Sequence, residues 1–183
     1  QKESMMSIQQ PKNALAAEGV KDIPVQSEGY ILNHTMLRIK DPVRSLEFYT
    51  GILGMTLLKH SRFADSEFDL YFLARLTEDE RANLPAGDEL KDFVSRQRSI
   101  LELTHNYRTE NHADFSYHDG NSEPRGFGHI CFSVPSLKEA GAWFDENGVQ
   151  FKKLSEEGTM KDILFIIDPH GYWIEIIESY NHL

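Results

Sequence analysis

The stretch His34-Thr-Met-Leu-Arg-Ile39 begins a unit that the chain repeats from His129-Ile-Cys-Phe-Ser-Val134. In both copies this strand-like stretch is followed by apolar residues at helical spacing, and the helical pattern ends at Gly54 in the first copy and at Gly148 in the second. One such unit cannot bury its apolar face alone, so repeated units are expected to share a core. The repeat therefore predicts two similar modules in one fold.

A glutamate lies in the middle of the last apolar strand of each unit, Glu102 in the first copy and Glu175 in the second. A charged carboxylate is costly to bury without a partner, although a glutamate on the wet face of a half-exposed strand has no such cost. Each glutamate, however, occurs in a unit that starts with a histidine. We therefore interpret His34, Glu102, His129 and Glu175 as candidate metal ligands.

The spacing of apolar residues predicts the order β-α-β-β-β in each unit. Asp41-Pro42 is typical of a helix start. We predict an α+β fold of two tandem β-α-β-β-β modules, with curved mixed sheets and the helices outside. The expected divisions are an N-terminal arm over 1–30 with at most a short helix near 11–17, a first module over 31–107 with a polar insertion at 77–97, a linker over 108–126, and a second module over 127–183.

Composition excludes several classes of function. The net charge of −10 opposes binding to nucleic acid or to an anionic membrane. No apolar run approaches the roughly 18 residues of a membrane span, and the first 28 residues lack the hydrophobic stretch of a secretory signal. We predict a cytoplasmic location. The single cysteine, Cys131, excludes an internal disulfide and a cysteine-based zinc site; we interpret it as a buried strand residue, with a reactive thiol as the alternative.

The candidate ligand set favours a transition metal. Two imidazoles and two carboxylates suit Zn²⁺, and also Ni²⁺, Co²⁺ or Fe²⁺, but they are too rich in nitrogen for a Ca²⁺ or Mg²⁺ cage. Four protein ligands in a tetrahedron make a closed structural site, so a catalytic site needs further positions for water.

Several motifs carry a resemblance to a known family. They are Thr35-Met-Leu-Arg-Ile-Lys-Asp-Pro42, Phe48-Tyr-Thr50, Leu53-Gly-Met-Thr56, Leu101-Glu-Leu-Thr-His-Asn106, Pro124-Arg-Gly-Phe-Gly-His129 and Asp168-Pro-His-Gly-Tyr-Trp-Ile-Glu175. Over roughly 31–178 the chain resembles the vicinal oxygen chelate superfamily and, within it, the glyoxalase I or lactoylglutathione lyase family.

The resemblance implies a reaction and a metal site. The reaction is isomerisation of the methylglyoxal–glutathione hemithioacetal to S-D-lactoylglutathione, a methylglyoxal detoxification that proceeds by proton transfer through a metal-stabilised ene-diolate. The implied ligands are His34, Glu102, His129 and Glu175. The polar insertion at 77–97 resembles that of the longer, zinc-using members, so the implied metal is Zn²⁺. Ni²⁺ and Co²⁺, which shorter members often prefer, are the alternatives, because many of the longer members have glutamine where this chain has His34. Glu175 is the implied principal base, and Glu102 serves the opposite face of the substrate.

The resemblance also implies substrate contacts and a quaternary arrangement. The implied glutathione contacts are Arg38, Asn106, Arg125 and Lys153, with a flap at Met160; the implied pocket for the methyl group is lined by Phe63, Leu70 and Phe72. Members of this length are typically homodimers, so His34 and Glu102 of one subunit are expected to meet His129 and Glu175 of the other. The N-terminal arm is expected to wrap onto the neighbouring subunit.

Two other functions share the predicted fold. An extradiol-type dioxygenase would hold Fe²⁺ with two histidines and one carboxylate, so the second glutamate opposes this alternative. A ligand-sequestering protein would usually lack the metal ligands, and all four candidates are present here.

Overall fold

The computed structural model describes residues 6–152 and 163–179. The N-terminal arm contains two short antiparallel strands, β1 (Ser7–Ile8) and β2 (Ile23–Pro24), followed by a 3₁₀ turn over Val25–Ser27. The segment near 11–17, for which the sequence predicts at most a short helix, forms only a turn in which the Ala14 N–H donates to the Pro11 carbonyl. So short a segment gains too few hydrogen bonds to offset helix nucleation.

The first unit forms a four-stranded mixed sheet. Its elements are β3 (His34–Ile39), α1 (Pro42–Leu46) with a π-helical continuation over Glu47–Ile52, β4 (Thr56–Phe63), β5 (Phe68–Ala74) and β6 (Ile100–Asn106). The strand order is β3-β6-β5-β4, with β3 parallel to β6 and the remaining pairs antiparallel. The first strand of the unit therefore lies directly beside the last one, which brings their side chains together.

Helix α1 begins as the sequence predicts. The Asp41 carboxylate accepts hydrogen bonds from the N–H groups of Val43 and Arg44, at 2.9 and 3.3 Å, and Pro42 occupies the first turn. The helix then widens, because the Leu53 N–H reaches back five residues to the Phe48 carbonyl.

The polar insertion forms two helices between β5 and β6, which are α2 (Glu78–Ala82) and α3 (Gly87–Arg96). Helix α2 begins with a capping box between Thr77 and Glu80. Phe93 and Val94 of α3 pack on a small apolar cluster that includes Ile100 of β6. The insertion is thus joined to the sheet at the end where β6 begins.

The second unit repeats the arrangement with shorter elements. They are β7 (His129–Val134), α4 (Leu137–Glu146), β8 (Gln150–Phe151), β9 (Ile163–Ile167) and β10 (Trp173–Glu178). The strand order β7-β10-β9-β8 matches that of the first sheet, again with the first and last strands parallel. The predicted α+β fold class is confirmed. None of the helices described is long and apolar enough to cross a bilayer.

The two units share one apolar core on their helix-covered faces. Phe48 and Tyr49, from the π-helical segment, belong to the same buried cluster as Phe144 of α4 and Ile174 of β10. Polar contacts also cross the junction, including a 3.1 Å hydrogen bond from Trp143 Nε1 to the Ile52 carbonyl. The opposite face of each sheet stays open, and the candidate ligands lie on these open faces.

Candidate metal centre

The open face of the first sheet collects the predicted residues of the first unit. Side chains alternate along a strand, so His34, Met36 and Arg38 of β3 point to one face. Directly opposite residues share that face: Met36 pairs with Glu102, and Arg38 pairs with Thr104. The next strand continues both rows, with Phe72 opposite Glu102 and Leu70 opposite Thr104.

His34 and Glu102 form a close pair on this face. His34 Nε2 lies 2.8 Å from Glu102 Oε2, and the side chains are 42% and 12% exposed. The Phe72 ring meets the imidazole edge to face, with the ring centroids 5.9 Å apart. The mostly buried carboxylate therefore has a nitrogen partner, and the pair faces open space on one side.

The second sheet carries a matching pair. His129 Nε2 lies 3.2 Å from Glu175 Oε2. The Phe165 ring packs against the His129 imidazole edge to face at 5.2 Å, as Phe72 does against His34. In each sheet, a phenylalanine on the strand next to the glutamate-bearing strand thus packs against the histidine ring.

The four candidate ligands form two pairs and do not form a single cluster. Within 6–152 and 163–179, no group of three or more His, Cys, Asp or Glu side chains is close enough to hold a metal ion. His34 and His129 do line one cavity of about 490 Å³. One chain therefore presents two half-sites, each with one nitrogen and one carboxylate oxygen.

The donor chemistry of each pair fits a divalent metal. A neutral imidazole nitrogen and a carboxylate oxygen both offer lone pairs, so their close approach requires a proton or a cation between them. Imidazole nitrogen and carboxylate oxygen are common ligands of Zn²⁺ and of its neighbours Ni²⁺ and Co²⁺. His34, Glu102, His129 and Glu175 are thus able to hold such an ion when both half-sites face it.

Arg38 and Asn106 lie near a second cavity beside the first half-site. Arg38 lines a cavity of about 280 Å³ together with Tyr117, Phe127 and other side chains. Tyr117 comes from the loop before β7, and its hydroxyl donates a 3.5 Å hydrogen bond to Asn106 Oδ1. Sequence reasoning missed Tyr117, although an aromatic residue in a long polar loop was an available signal.

The other predicted substrate residues are more scattered. Phe63 stacks on Phe68 at the hairpin between β4 and β5, and Phe68 is opposite Asn106. Phe63 therefore lies beside Phe68, which is four residues along β5 from Phe72. Arg125 is exposed and its Nε lies 2.9 Å from Glu123 Oε1. The predicted contacts Lys153 and Met160 lie outside the described residues.

Cys131 corrects one expectation. It was interpreted as a buried strand residue, but it is exposed and lies opposite Glu175 on the open face. Counting by two from His129 would have placed it there, because alternate side chains share a face. Partial desolvation raises the pKa of the Cys131 thiol above its usual range, and the Glu175 carboxylate raises it further. The thiol therefore stays protonated beside that carboxylate.

Comparison with known proteins adds independent information on this fold. Residues 31–176 match the family described as the Glyoxalase/Bleomycin resistance protein/Dioxygenase superfamily. The chain is 49% identical to the lactoylglutathione lyase of Pseudomonas aeruginosa over 153 residues, which cover 84% of this chain and 85% of that protein. It is 45% identical to glyoxalase I of Saccharomyces cerevisiae over 148 residues, which cover 80% of this chain and 44% of the yeast protein.

Among solved structures, the fold is similar to the trypanothione-dependent glyoxalase I of Leishmania major. The TM-score is 0.59 at 29% identity, and the match covers 82% of this chain and 87% of that one. The glyoxalase I of Zea mays also shares the fold, with a TM-score of 0.59 at 24% identity, over 81% of this chain and 44% of the maize protein.

Proposed function

We propose that this chain isomerises the methylglyoxal–glutathione hemithioacetal to S-D-lactoylglutathione. It belongs to the Glyoxalase/Bleomycin resistance protein/Dioxygenase superfamily and, within it, to the lactoylglutathione lyases. One structural observation carries the proposal. Each sheet pairs a histidine from its first strand with a glutamate from its last strand, on the face that the helices leave open.

His34, Glu102, His129 and Glu175 are the proposed metal ligands, and Zn²⁺ is the proposed metal, with Ni²⁺ or Co²⁺ as alternatives. When bound, the metal supplies Lewis-acid polarisation of the two neighbouring oxygens of the hemithioacetal. The mixed nitrogen and oxygen donors of the two pairs support this assignment.

Glu175 is the proposed general base, which takes the proton from C1 of the substrate and returns it to C2. Its carboxylate lies between His129 and Cys131 on the open face, where a substrate can reach it. Glu102 is proposed to act on the opposite face of the hemithioacetal, because it occupies the matching position of the first sheet.

The two carboxylates of glutathione require cationic partners, because the chain as a whole is acidic. Arg38, Asn106 and Arg125 are the proposed contacts among described residues, with Lys153 and the Met160 flap beyond them. Leu70 and Phe72 border Glu102 and Thr104, and they are proposed to line the methyl pocket with Phe63. Because cytosolic conditions keep the thiol of glutathione reduced, a cytoplasmic location stays our prediction.

A homodimer is proposed to complete each site. The half-sites of one chain do not merge into one metal cluster within the described residues. Strands β3 and β7, which carry the histidines, each lie at an edge of their sheet. Two-fold pairing would bring the first half-site of one subunit to the second half-site of its partner, twice.

The test is to strip the protein with a chelator, restore Zn²⁺, Ni²⁺ or Co²⁺, and follow thioester absorbance with the hemithioacetal. Oxygen uptake with a catechol is measured in parallel. We expect metal-dependent thioester formation and no oxygen uptake. Oxygen uptake without thioester formation would instead support the dioxygenase alternative. Inactivity towards both substrates with full metal loading would contradict the proposed lyase.

A further inference from the structure

Asn33 lies at the junction of the first half-site and the polar insertion. It directly precedes His34, and its carbonyl accepts a 2.9 Å hydrogen bond from the Ile100 N–H, at the start of the pairing of β3 with β6. The C-terminal end of α3 lies on its other side. The backbone of Asn33 is thus held firmly at the start of the ligand-bearing strand.

The side-chain amide nitrogen of Asn33 faces the end of α3. Nδ2 lies 2.9 Å from the Val94 carbonyl, 3.1 Å from the Gln97 carbonyl and 3.3 Å from the Ser95 carbonyl. The last carbonyls of a helix lack partners within the helix, and a carbonyl oxygen can only accept. The amide must therefore point its N–H₂ group at the helix end, which turns its oxygen the opposite way.

That oxygen meets the metal-ligand histidine. Asn33 Oδ1 lies 2.8 Å from His34 Nδ1. Since the surroundings fix Oδ1 as an acceptor, Nδ1 must carry the proton. Nε2 is the other ring nitrogen and lies 2.8 Å from Glu102 Oε2. In the neutral imidazole the lone pair then lies on Nε2, which points towards the carboxylate.

We propose that Asn33 is a positioning residue that holds His34 in the Nδ1–H tautomer and thereby presents Nε2 to the metal, using the C-terminus of α3 as its anchor. The inference rests on the proposed role of His34 as a ligand. Outer hydrogen-bond partners of this kind set the tautomer and orientation of metal-bound histidines.

The second half-site lacks this device within the described residues. Gly128 precedes His129, and no side-chain hydrogen bond to His129 Nδ1 occurs there. The insertion that ends in α3 is likewise confined to the first unit. We therefore assign to the insertion a role at the metal site, which is to orient one of the two histidines.

Zn²⁺ affinity, measured by competition with a chromophoric chelator on the full chain, tests the proposal. Asn33→Leu removes both the acceptor and the donors, and we expect Zn²⁺ binding to weaken by roughly 10–100-fold. Asn33→Asp keeps an acceptor for Nδ1 but loses the donors to α3. It should lower the melting temperature yet hold Zn²⁺ affinity within about threefold of the parent. Equal losses of Zn²⁺ affinity in both variants would show that Asn33 only binds the end of α3 and does not set the tautomer of His34.

A matched control separates the loss of a helix cap from the loss of tautomer control. Asn147 Nδ2 donates to the Trp143 carbonyl at the end of α4, at 2.8 Å, and among the described residues its amide forms no hydrogen bond with a histidine. Asn147→Leu should lower stability without changing Zn²⁺ affinity. A loss of affinity as large as that of Asn33→Leu would contradict the assignment.

A double-substitution cycle with His34→Gln gives a second readout. Glutamine has a carbonyl ligand and no ring tautomer, so Asn33→Leu should change Zn²⁺ affinity by less than about threefold in that background. A full 10–100-fold effect there would overturn the tautomer proposal. His34→Ala distinguishes a failure of the proposed metal site from a failure of the proposed role of Asn33. Unchanged Zn²⁺ affinity in His34→Ala would remove His34 from the metal site. Weaker Zn²⁺ binding in His34→Ala, with unchanged binding in Asn33→Leu, would reject only the role of Asn33.

Discussion

At the scale of single residues, the proposed chemistry depends on carboxylates that lie on apolar strands. Glu102 is only 12% exposed in its side chain, and Glu175 is 23% exposed. Each is tolerated there because a histidine of the same unit faces it, and a metal ion would satisfy both groups. Replacing either glutamate by glutamine therefore removes the negative charge while nearly keeping the shape of the side chain.

Glu175→Gln should keep the fold and lower kcat by roughly 10²–10⁴, the usual contribution of a positioned general base. Metal content must be measured alongside kcat, because the amide is also a weaker ligand. Glu178→Gln is the matched control on the same strand: its side chain accepts from the Leu137 N–H, which an amide oxygen can still do. A fully metal-loaded Glu175→Gln variant with parental kcat would remove Glu175 from the mechanism.

Arg38→Ala should weaken binding of an S-alkylglutathione by about 1.5–3 kcal/mol, the range for hydrogen bonds to charged groups. The loss should appear mainly in KM, because Arg38 is assigned to substrate binding and not to proton transfer. Arg44→Ala is the control, since Arg44 is exposed on α1. If both variants bind the ligand equally well, the carboxylate clamp lies elsewhere.

At the scale of elements, the turn between β9 and β10 joins the two units. Asp168 is 4% exposed; its Oδ1 accepts from the N–H groups of His170 and Tyr172, and its Oδ2 accepts from the Tyr49 hydroxyl at 2.8 Å. Burial raises the pKa of Asp168 and also raises that of Tyr49 well above the usual range. Gly171 completes the turn at φ +95°, a conformation that other residues rarely adopt.

His170 of this turn should make stability depend on pH. Burial lowers its pKa, and hydrogen bonding to the Asp41 backbone only partly opposes the shift. The folded state therefore keeps the imidazole neutral, while the unfolded chain binds a proton below about pH 6.5. The stabilising contribution of the neutral His170 imidazole to the free energy of unfolding is therefore fully present above about pH 6.5 and is lost as the pH falls below it.

The comparison of the parent with His170→Asn, by urea unfolding between about pH 7.5 and 5.5, measures this contribution. The advantage of the parent should shrink steadily as the pH falls. His112→Asn, at an exposed loop position, serves as the control and should leave the pH slope unchanged. A constant difference between the parent and His170→Asn would show that His170 does not titrate differently on folding.

At the scale of the whole molecule, the prediction concerns how two chains share two sites. Inactive Glu102→Gln and Glu175→Gln proteins are mixed under conditions of subunit exchange. In a heterodimer both lesions fall in one shared site, so the other site is intact and activity should return to about one site per heterodimer. The interface should bury more than about 2,000 Å², as obligate dimers do. A monomer active at assay concentration would contradict the arrangement.

The repeat, the β-α-β-β-β order and the strand faces that carry the candidate ligands are all predictable from the amino-acid sequence. These features follow from local geometry, because side chains alternate along a strand whatever lies beyond it. The same rule, applied to Cys131, would have placed this thiol beside Glu175 on the open face. The helix start at Asp41-Pro42 was likewise predictable, since an N-cap acts within three residues.

The contacts between residues far apart in the chain, in contrast, become visible only in the folded molecule. The separation of the ligands into two pairs depends on how the units pack through their helices, with Tyr49 reaching Asp168 across 119 positions of the chain. The link from α3 through Asn33 to His34 spans more than 60 residues. No local pattern encodes such contacts, because they arise when apolar faces from separate segments of the chain are buried together. The polar groups that are buried with these faces must then form hydrogen bonds with whatever groups the packing places beside them.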